Sequence, residues 1–152
     1  MMRKVLILGI GNTLRSDDGL GVYIVRHIEE SGIALPEGVE VLDGGTAGFD
    51  LLGLIDGYDK IVIVDALKVD DRPGSIYRFT PEHAVERRAQ FSLHEVGIME
   101  VIKTLRIMDF NPEIEFVGIV PDNINDIDTN ISSAVKDSIP RAVEVILEAA
   151  TH

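Results

Sequence analysis

Apolar positions along this chain alternate between short continuous runs and stripes at helical spacing, the pattern of strands interleaved with helices. The first run, Lys4-Val5-Leu6-Ile7-Leu8-Gly9, predicts a buried strand. Ile10-Gly11-Asn12-Thr13-Leu14-Arg15-Ser16-Asp17-Asp18-Gly19-Leu20-Gly21 then opens a helix. Gly21, Ile24, Val25 and Ile28 share one face of that helix, and Ser31-Gly32 supplies its stop. Val39-Glu40-Val41-Leu42 predicts a second strand closing at Asp43-Gly44-Gly45-Thr46, after which Phe49, Leu51, Leu52 and Ile55 mark a short amphipathic helix. Lys60-Ile61-Val62-Ile63-Val64-Asp65 is β-branched on both faces, as a strand covered by helices on both sides should be, and is expected to end on its acid.

Asp70-Asp71-Arg72-Pro73-Gly74 is a turn, and Ser75-Ile76-Tyr77-Arg78-Phe79-Thr80 alternates polar with apolar residues like an antiparallel edge strand with one wet face. Ser92-Leu93-His94-Glu95 has the form of a capping box at a helix start, carried forward by Ile98, Val101, Ile102 and Leu105. Ile114-Glu115-Phe116-Val117-Gly118-Ile119-Val120 predicts the last strand, stopped by Pro121. A long C-terminal helix lines up Ile131, Val135, Ile139, Val143, Ile146 and Leu147, with Pro140 either kinking it or restarting it. No repeat or linker interrupts this alternation over residues 1–152. The pattern predicts a single α/β domain: a three-layer α/β/α sandwich around a mainly parallel five-stranded sheet with one antiparallel edge strand.

The chain holds 14 basic and 26 acidic residues, a formal net charge of −12. A field of that sign repels phosphate backbones and anionic membranes, so neither nucleic acid nor membrane is an expected partner. Cysteine is absent, which removes disulfides, thiolate zinc sites and thiol nucleophiles and leaves hydrolytic chemistry to oxygen and nitrogen groups. No apolar run is long enough to span a bilayer, and the first strand follows the amino terminus directly, so the expected compartment is the cytoplasm. In that compartment the glycan-acceptor pattern Asn130-Ile131-Ser132 is a coincidence.

Three acids stand where strands are expected to end: Asp18 with its neighbour Asp17, Asp43, and Asp65. Parallel strands put such ends on one edge of the sheet, where ligands bind. His94, expected in a first helical turn, meets the positive end of the macrodipole, which keeps its ring neutral and able to bind a metal. Asp18, Asp65 and His94 make a hard-to-borderline N,O set suited to nickel, zinc or iron(II), with coordination positions left open. Asp17 reads as a cap for the first amides of its helix and Asp43, before two glycines, as an Asx-turn former that shapes the loop. Asp65 ends an aliphatic run and is partly desolvated, which is costly unless a cation or donors meet it. His27 lies mid-helix among charges, His83 in an expected loop and His152 at the last position, so these three read as solvated.

Other chemistries fit poorly. Gly9-Ile10-Gly11 begins like a dinucleotide fingerprint, but Leu14 holds the third glycine position and Asp17-Asp18 would face a pyrophosphate. No phosphate-binding loop and no Gly-x-Ser-x-Gly elbow is present, and Ser92 and His94 are two apart on an expected helix and cannot face each other. The zinc-peptidase helix is missing too, because Ile98 stands where His94-Glu95 would need a second histidine.

Gly9-x-Gly11-Asn12-x-Leu14-x-x-Asp17-Asp18-Gly19-x-Gly21, Asp43-Gly44-Gly45-Thr46-x-Gly48-x-x-Leu51-Leu52, Asp65-Ala66, Ser92-x-His94-x-x-Gly97 and Gly118-Ile119-x-Pro121 together resemble the [NiFe]-hydrogenase maturation proteases, in the family's order and over nearly the whole chain. That family is also similar in fold to bacterial spore germination proteases, but the five motifs favour the hydrogenase branch. The resemblance implies an endopeptidase that removes a short C-terminal extension from the precursor of a hydrogenase large subunit once nickel is inserted. It maps the family's metal-contacting acid to Asp18, its second acid to Asp65 and its histidine to His94. Many members carry Glu where this chain has Asp18, which keeps the oxygen ligand and shortens its reach. The implied metal is nickel brought by the precursor, and no organic cofactor is implied. A non-catalytic nickel chaperone or sensor would use the same ligands and cut nothing.

Overall fold

The computed structural model of the protein describes residues 3–11, 14, 16–45, 52–86, 92–93, 97–122 and 130–152. The apolar run Val5–Ile10 forms β1, with every residue buried. A tight 3-10 turn, Ser16–Gly19, leads into α1, Leu20–Glu30. Next come β2, Val39–Gly45, the short α2, Leu52–Ile55, and β3, Lys60–Lys68. They are followed by β4, Ile76–Phe79, α3, Pro81–Glu86, and β5, Ser92–Leu93. The chain closes with α4, Gly97–Ile107, β6, Glu113–Ile119, and α5, Ser133–Thr151.

The main sheet has the order β2-β1-β3-β6-β4, parallel throughout except for β4, which runs antiparallel to β6 at one edge. This is the expected five-stranded sheet. β5 is an addition to it: Leu93 and Ser92 pair antiparallel with Leu67 and Lys68 at the end of β3.

Alternation of side chains along β1, β3 and β6 splits the core into two layers, as period 2 requires. Val5, Ile7, Val62, Val64, Val117 and Ile119 pack under α1 and α5. Leu6, Leu8, Ile61, Ile63, Leu67, Ile114 and Phe116 pack on the other side against α4 and Ile55 of α2. The three layers are those the sequence pattern predicts.

Three local expectations need correction, and a fourth is narrowed. Ser92-Leu93 is strand and not the cap of a helix, because the end of β3 offers it a pairing edge; the described helix begins at Gly97. β3 does not stop at Asp65 but continues to Lys68, since β6 still pairs with it at Asp65 and Ala66. His83 lies in α3, where the amide of His83 donates to the Thr80 hydroxyl at 3.3 Å, and it is exposed as a solvated histidine should be. Of the two alternatives at Pro140 the restart is excluded, because α5 runs as one helix through it, with Val135, Ile139, Val143 and Ile146 buried on its inner face.

At the amino edge, Lys60 is 1% exposed. Its ammonium pairs with Glu115 at 3.0 Å and Glu113 at 3.5 Å. Arg78 also clasps Glu115, at 2.6 and 3.0 Å. Burial pushes the Glu115 carboxyl up, but the hydrogen bonds from Arg78 and Lys60 outweigh it and hold the group below its ordinary value.

Candidate active site at the carboxyl edge

Three glycines let backbone pack on backbone where β1 ends. A Cβ on Gly21 would stand 2.2 Å from the Val64 carbonyl oxygen and 2.4 Å from that of Ile10, so α1 starts pressed against both β3 and β1. A Cβ on Gly9 would lie 2.3 Å from the Gly21 carbonyl oxygen. Gly11 adopts φ +146°, and a Cβ there would lie 2.2 Å from the Asp18 carbonyl oxygen. No side chain fits at these positions. The turn carrying Asp17 and Asp18 is thereby folded down onto the carboxyl edge of β1 and β3.

The two adjacent acids have different jobs. Asp17 is fully buried, and its carboxylate accepts from the Asp122 amide at 2.7 Å, the Ser132 amide at 2.7 Å and the Ser132 hydroxyl at 2.6 Å. It was expected to cap its own helix, but α1 has no side-chain cap. Asp17 instead ties the turn to the chain after β6 and to the residue that starts α5. Ser16, at φ +44°, strengthens the same junction through its hydroxyl, which donates to the Asn130 carbonyl at 2.9 Å. Sequence reasoning missed Ser132 and Asp122, for their partner is more than 100 residues away and no periodic signal links them.

Asp18 is 1% exposed and Asp65 is 0% exposed. β1 pairs with β3 only as far as Gly9 opposite Val64, so Asp65 is the first β3 residue beyond that ladder. Its other neighbour is Gly118 of β6, and one Asp65 oxygen accepts from the Ala66 amide at 2.8 Å. By alternation Asp65 lies on the face of Ile61, Ile63 and Leu67, the layer packed by α4. Asp18 and Asp65 thus stand on turn and strand segments pressed together through Gly21 and Val64. Two buried carboxylates at one sheet edge are costly unless cations or donors meet them, so this edge suits a cationic ligand.

His94 lies outside the described residues. Leu93 pairs with Leu67, two positions past Asp65 on β3, so the described chain next to it runs beside the strand that carries Asp65. Among the described residues no three His, Asp or Glu side chains form a metal-binding group, and only two of the three expected ligands are among them.

Asp43 behaves as the expected shaper of the loop. One oxygen accepts from the Gly45 amide at 2.9 Å, an Asx turn, while Gly45 takes φ +55°. The other oxygen accepts from Arg26 Nε at 2.9 Å, a partner the sequence pattern did not single out. Thr46, Gly48 and Leu51 of the same motif lie outside the described residues. His27 and His152 are exposed, as expected of solvated histidines.

Residues 22–149 match the family model described as hydrogenase maturation protease. The chain belongs to the hydrogenase maturation protease family. It is 34% identical to the hydrogenase 2 maturation protease of Escherichia coli K12 over 149 residues, covering 96% of this chain and 90% of that protein. The hydrogenase maturating endopeptidase HybD of Escherichia coli superposes with a TM-score of 0.84 at 34% identity, over 97% of this chain and 91% of that one. The [NiFe] hydrogenase maturation protease HybD of Thermococcus kodakarensis gives 0.83 at 34% identity, over 98% and 99%. The three-layer sheet is therefore the maturation-protease fold, and membership of the family makes this chain a peptidase. Among the described residues no helix is long and apolar enough to cross a membrane.

Proposed function

We propose that this maturation protease removes the C-terminal extension of a [NiFe]-hydrogenase large-subunit precursor after nickel insertion, and that it recognises the nickel. The observation that carries the reading is the pair of buried carboxylates, Asp18 and Asp65, held at one sheet edge by glycine-only backbone contacts in a chain without cysteine. With His94 they would supply two oxygens and one nitrogen to an ion that arrives already held by the substrate. Three protein ligands leave room for the precursor's own ligands, so the ion can bridge the two proteins.

Docking of that kind makes metal insertion the gate. A nickel-free precursor lacks the anchor and leaves the scissile peptide unplaced. When the nickel-bearing precursor docks, its peptide bond lies beside the site carboxylates, one of which takes a proton from the attacking water. Asp43, the Gly44-Gly45 turn and Arg26 shape the cleft wall that the substrate backbone passes. The expected compartment is the cytoplasm.

Incubating nickel-loaded precursor with the protein and weighing the large subunit by mass spectrometry tests the proposal. The expected result is a shortened large subunit with wild-type protein and an intact one with Asp18→Asn, Asp65→Asn or His94→Ala. Stoichiometric metal binding with no shortened product would favour the nickel chaperone or sensor.

A further inference from the structure

The sheet ends in two edge strands, and one of them leads to the site. β2 lies outermost beside β1, and among the described residues nothing pairs with its outer side. The register sets Val5 opposite Val39, and the Val5 amide donates to the Gly38 carbonyl at 2.9 Å. That phase of a parallel ladder commits Glu40, Leu42 and Gly44 to β1 and turns the backbone groups of Val39, Val41 and Asp43 outward. The Val39 amide is taken by Pro36 and the Gly45 amide by the Asp43 side chain. Among the described residues, Val41 and Asp43 are left presenting outward amides and carbonyls.

A groove of about 570 Å³ runs along this edge, bounded by Glu29, Leu35, Val39, Glu40, Val41 and Tyr58 among others. β2 carries neither the proline nor the lysine that commonly blocks an edge against added strands. Its rim is acidic instead, with Glu29 and Glu40 exposed and the Tyr58 hydroxyl donating to Glu40. At its far end the Gly45 carbonyl accepts from the Gly11 amide at 2.9 Å, and Gly11 lies against the backbone of Asp18. β4, the other edge strand, offers only four residues.

We infer that the C-terminal extension of the precursor binds here as an added strand, antiparallel to β2, with basic side chains against Glu29 and Glu40. The inference rests on the proposed function. The body of the large subunit precedes the scissile bond and meets the carboxyl edge, so the extension leaves the site in the opposite direction to β2. Main-chain hydrogen bonds to Val41 and Asp43 hold the extension, and the acidic rim selects its charge. At a rise of roughly 3.3 Å per residue, the seven residues of β2 guide a segment of similar length.

The test uses nickel-loaded precursor and a synthetic peptide of its extension. Val41→Pro deletes an outward N–H and leaves the β1 ladder intact. The expected result is a KM raised about tenfold with kcat within about twofold, and a smaller rise in KM for Glu29→Lys. The peptide should protect the Val41 and Asp43 amides from hydrogen exchange and compete with the precursor. Should Val41→Pro fail to fold, N-methylation of the peptide at alternate residues decides. One alternate set should abolish competition and the other preserve it. Wild-type KM in both variants, or equal competition by both methylated sets, would overturn the inference while cleavage by the wild-type protein stands. A wild-type protein that leaves the loaded precursor uncut overturns the proposed function itself.

Discussion

Replacing Asp17 with alanine separates the two adjacent acids of the turn. The Asp17 carboxylate holds two amides and one hydroxyl at 2.6 to 2.7 Å. Charge-assisted hydrogen bonds of this kind contribute about 1.5–3 kcal/mol each to stability. Asp122 is exposed, so its amide recovers a bond to water when the carboxylate goes, and the Ser132 hydroxyl can rotate to do the same. The Ser132 amide, on a half-buried residue, recovers least. The net cost of Asp17→Ala is therefore about 3 kcal/mol, which for a domain of this size lowers Tm by about 6–12 °C. Asp17→Asn keeps one acceptor oxygen and should lose roughly half as much. The assay is thermal unfolding at neutral pH beside precursor cleavage. Asp17→Ala should lose both stability and cleavage, because the turn that presents Asp18 is released. Asp18→Asn should lose cleavage with a much smaller change in Tm. An Asp17→Ala protein melting within about 2 °C of wild type would refute the assignment of Asp17 as the tie between the turn and α5.

Gly21→Ala should destabilise by about 3 kcal/mol in chemical denaturation, although alanine favours a helix by about 1 kcal/mol; its Cβ would meet two carbonyl oxygens of strands that cannot yield, and an unchanged midpoint would show that α1 is not pressed on β3. Glu115 has a lowered folded-state pKa, so its contribution is complete above the ordinary carboxylate value of about 4.3 and is lost as pH falls through the lowered value. Glu115→Gln should flatten that acid limb of stability, and an unaltered limb would argue against the Arg78 and Lys60 clasp. Asp18→Glu should retain cleavage where Asp18→Asn loses it, since the longer acid keeps a carboxylate at the sheet edge; loss in both would point to a strict limit on reach.

The architecture was legible in the sequence because strand burial on both faces writes long β-branched runs, as in β1 and β3, and helices write one apolar stripe, as in α1 and α5. The edge strand β4 announced itself by alternation, and Asp43 by the two glycines after it. What the sequence left open turns on tertiary partners. Ser92-Leu93 satisfied every rule for a capping box, yet the free end of β3 captured it as a strand. Asp65 looked like a strand end since an acid rarely sits within a buried strand; β6 extends the ladder past it. The bonds from Asp17 to Asp122 and Ser132 join residues that only the completed sheet brings together. Within the candidate site, burial of Asp65 follows from the aliphatic run it ends, whereas burial of Asp18 and the glycine contacts that press the two segments together arise only in the folded chain.

Cleavage of nickel-loaded precursor against nickel-free precursor, followed by mass spectrometry under identical conditions, bears most directly on the carboxylates as readers of a substrate-borne metal. The expected result is release of the extension from the loaded precursor alone, abolished by Asp18→Asn or Asp65→Asn. Equal cleavage of both precursors would contradict it.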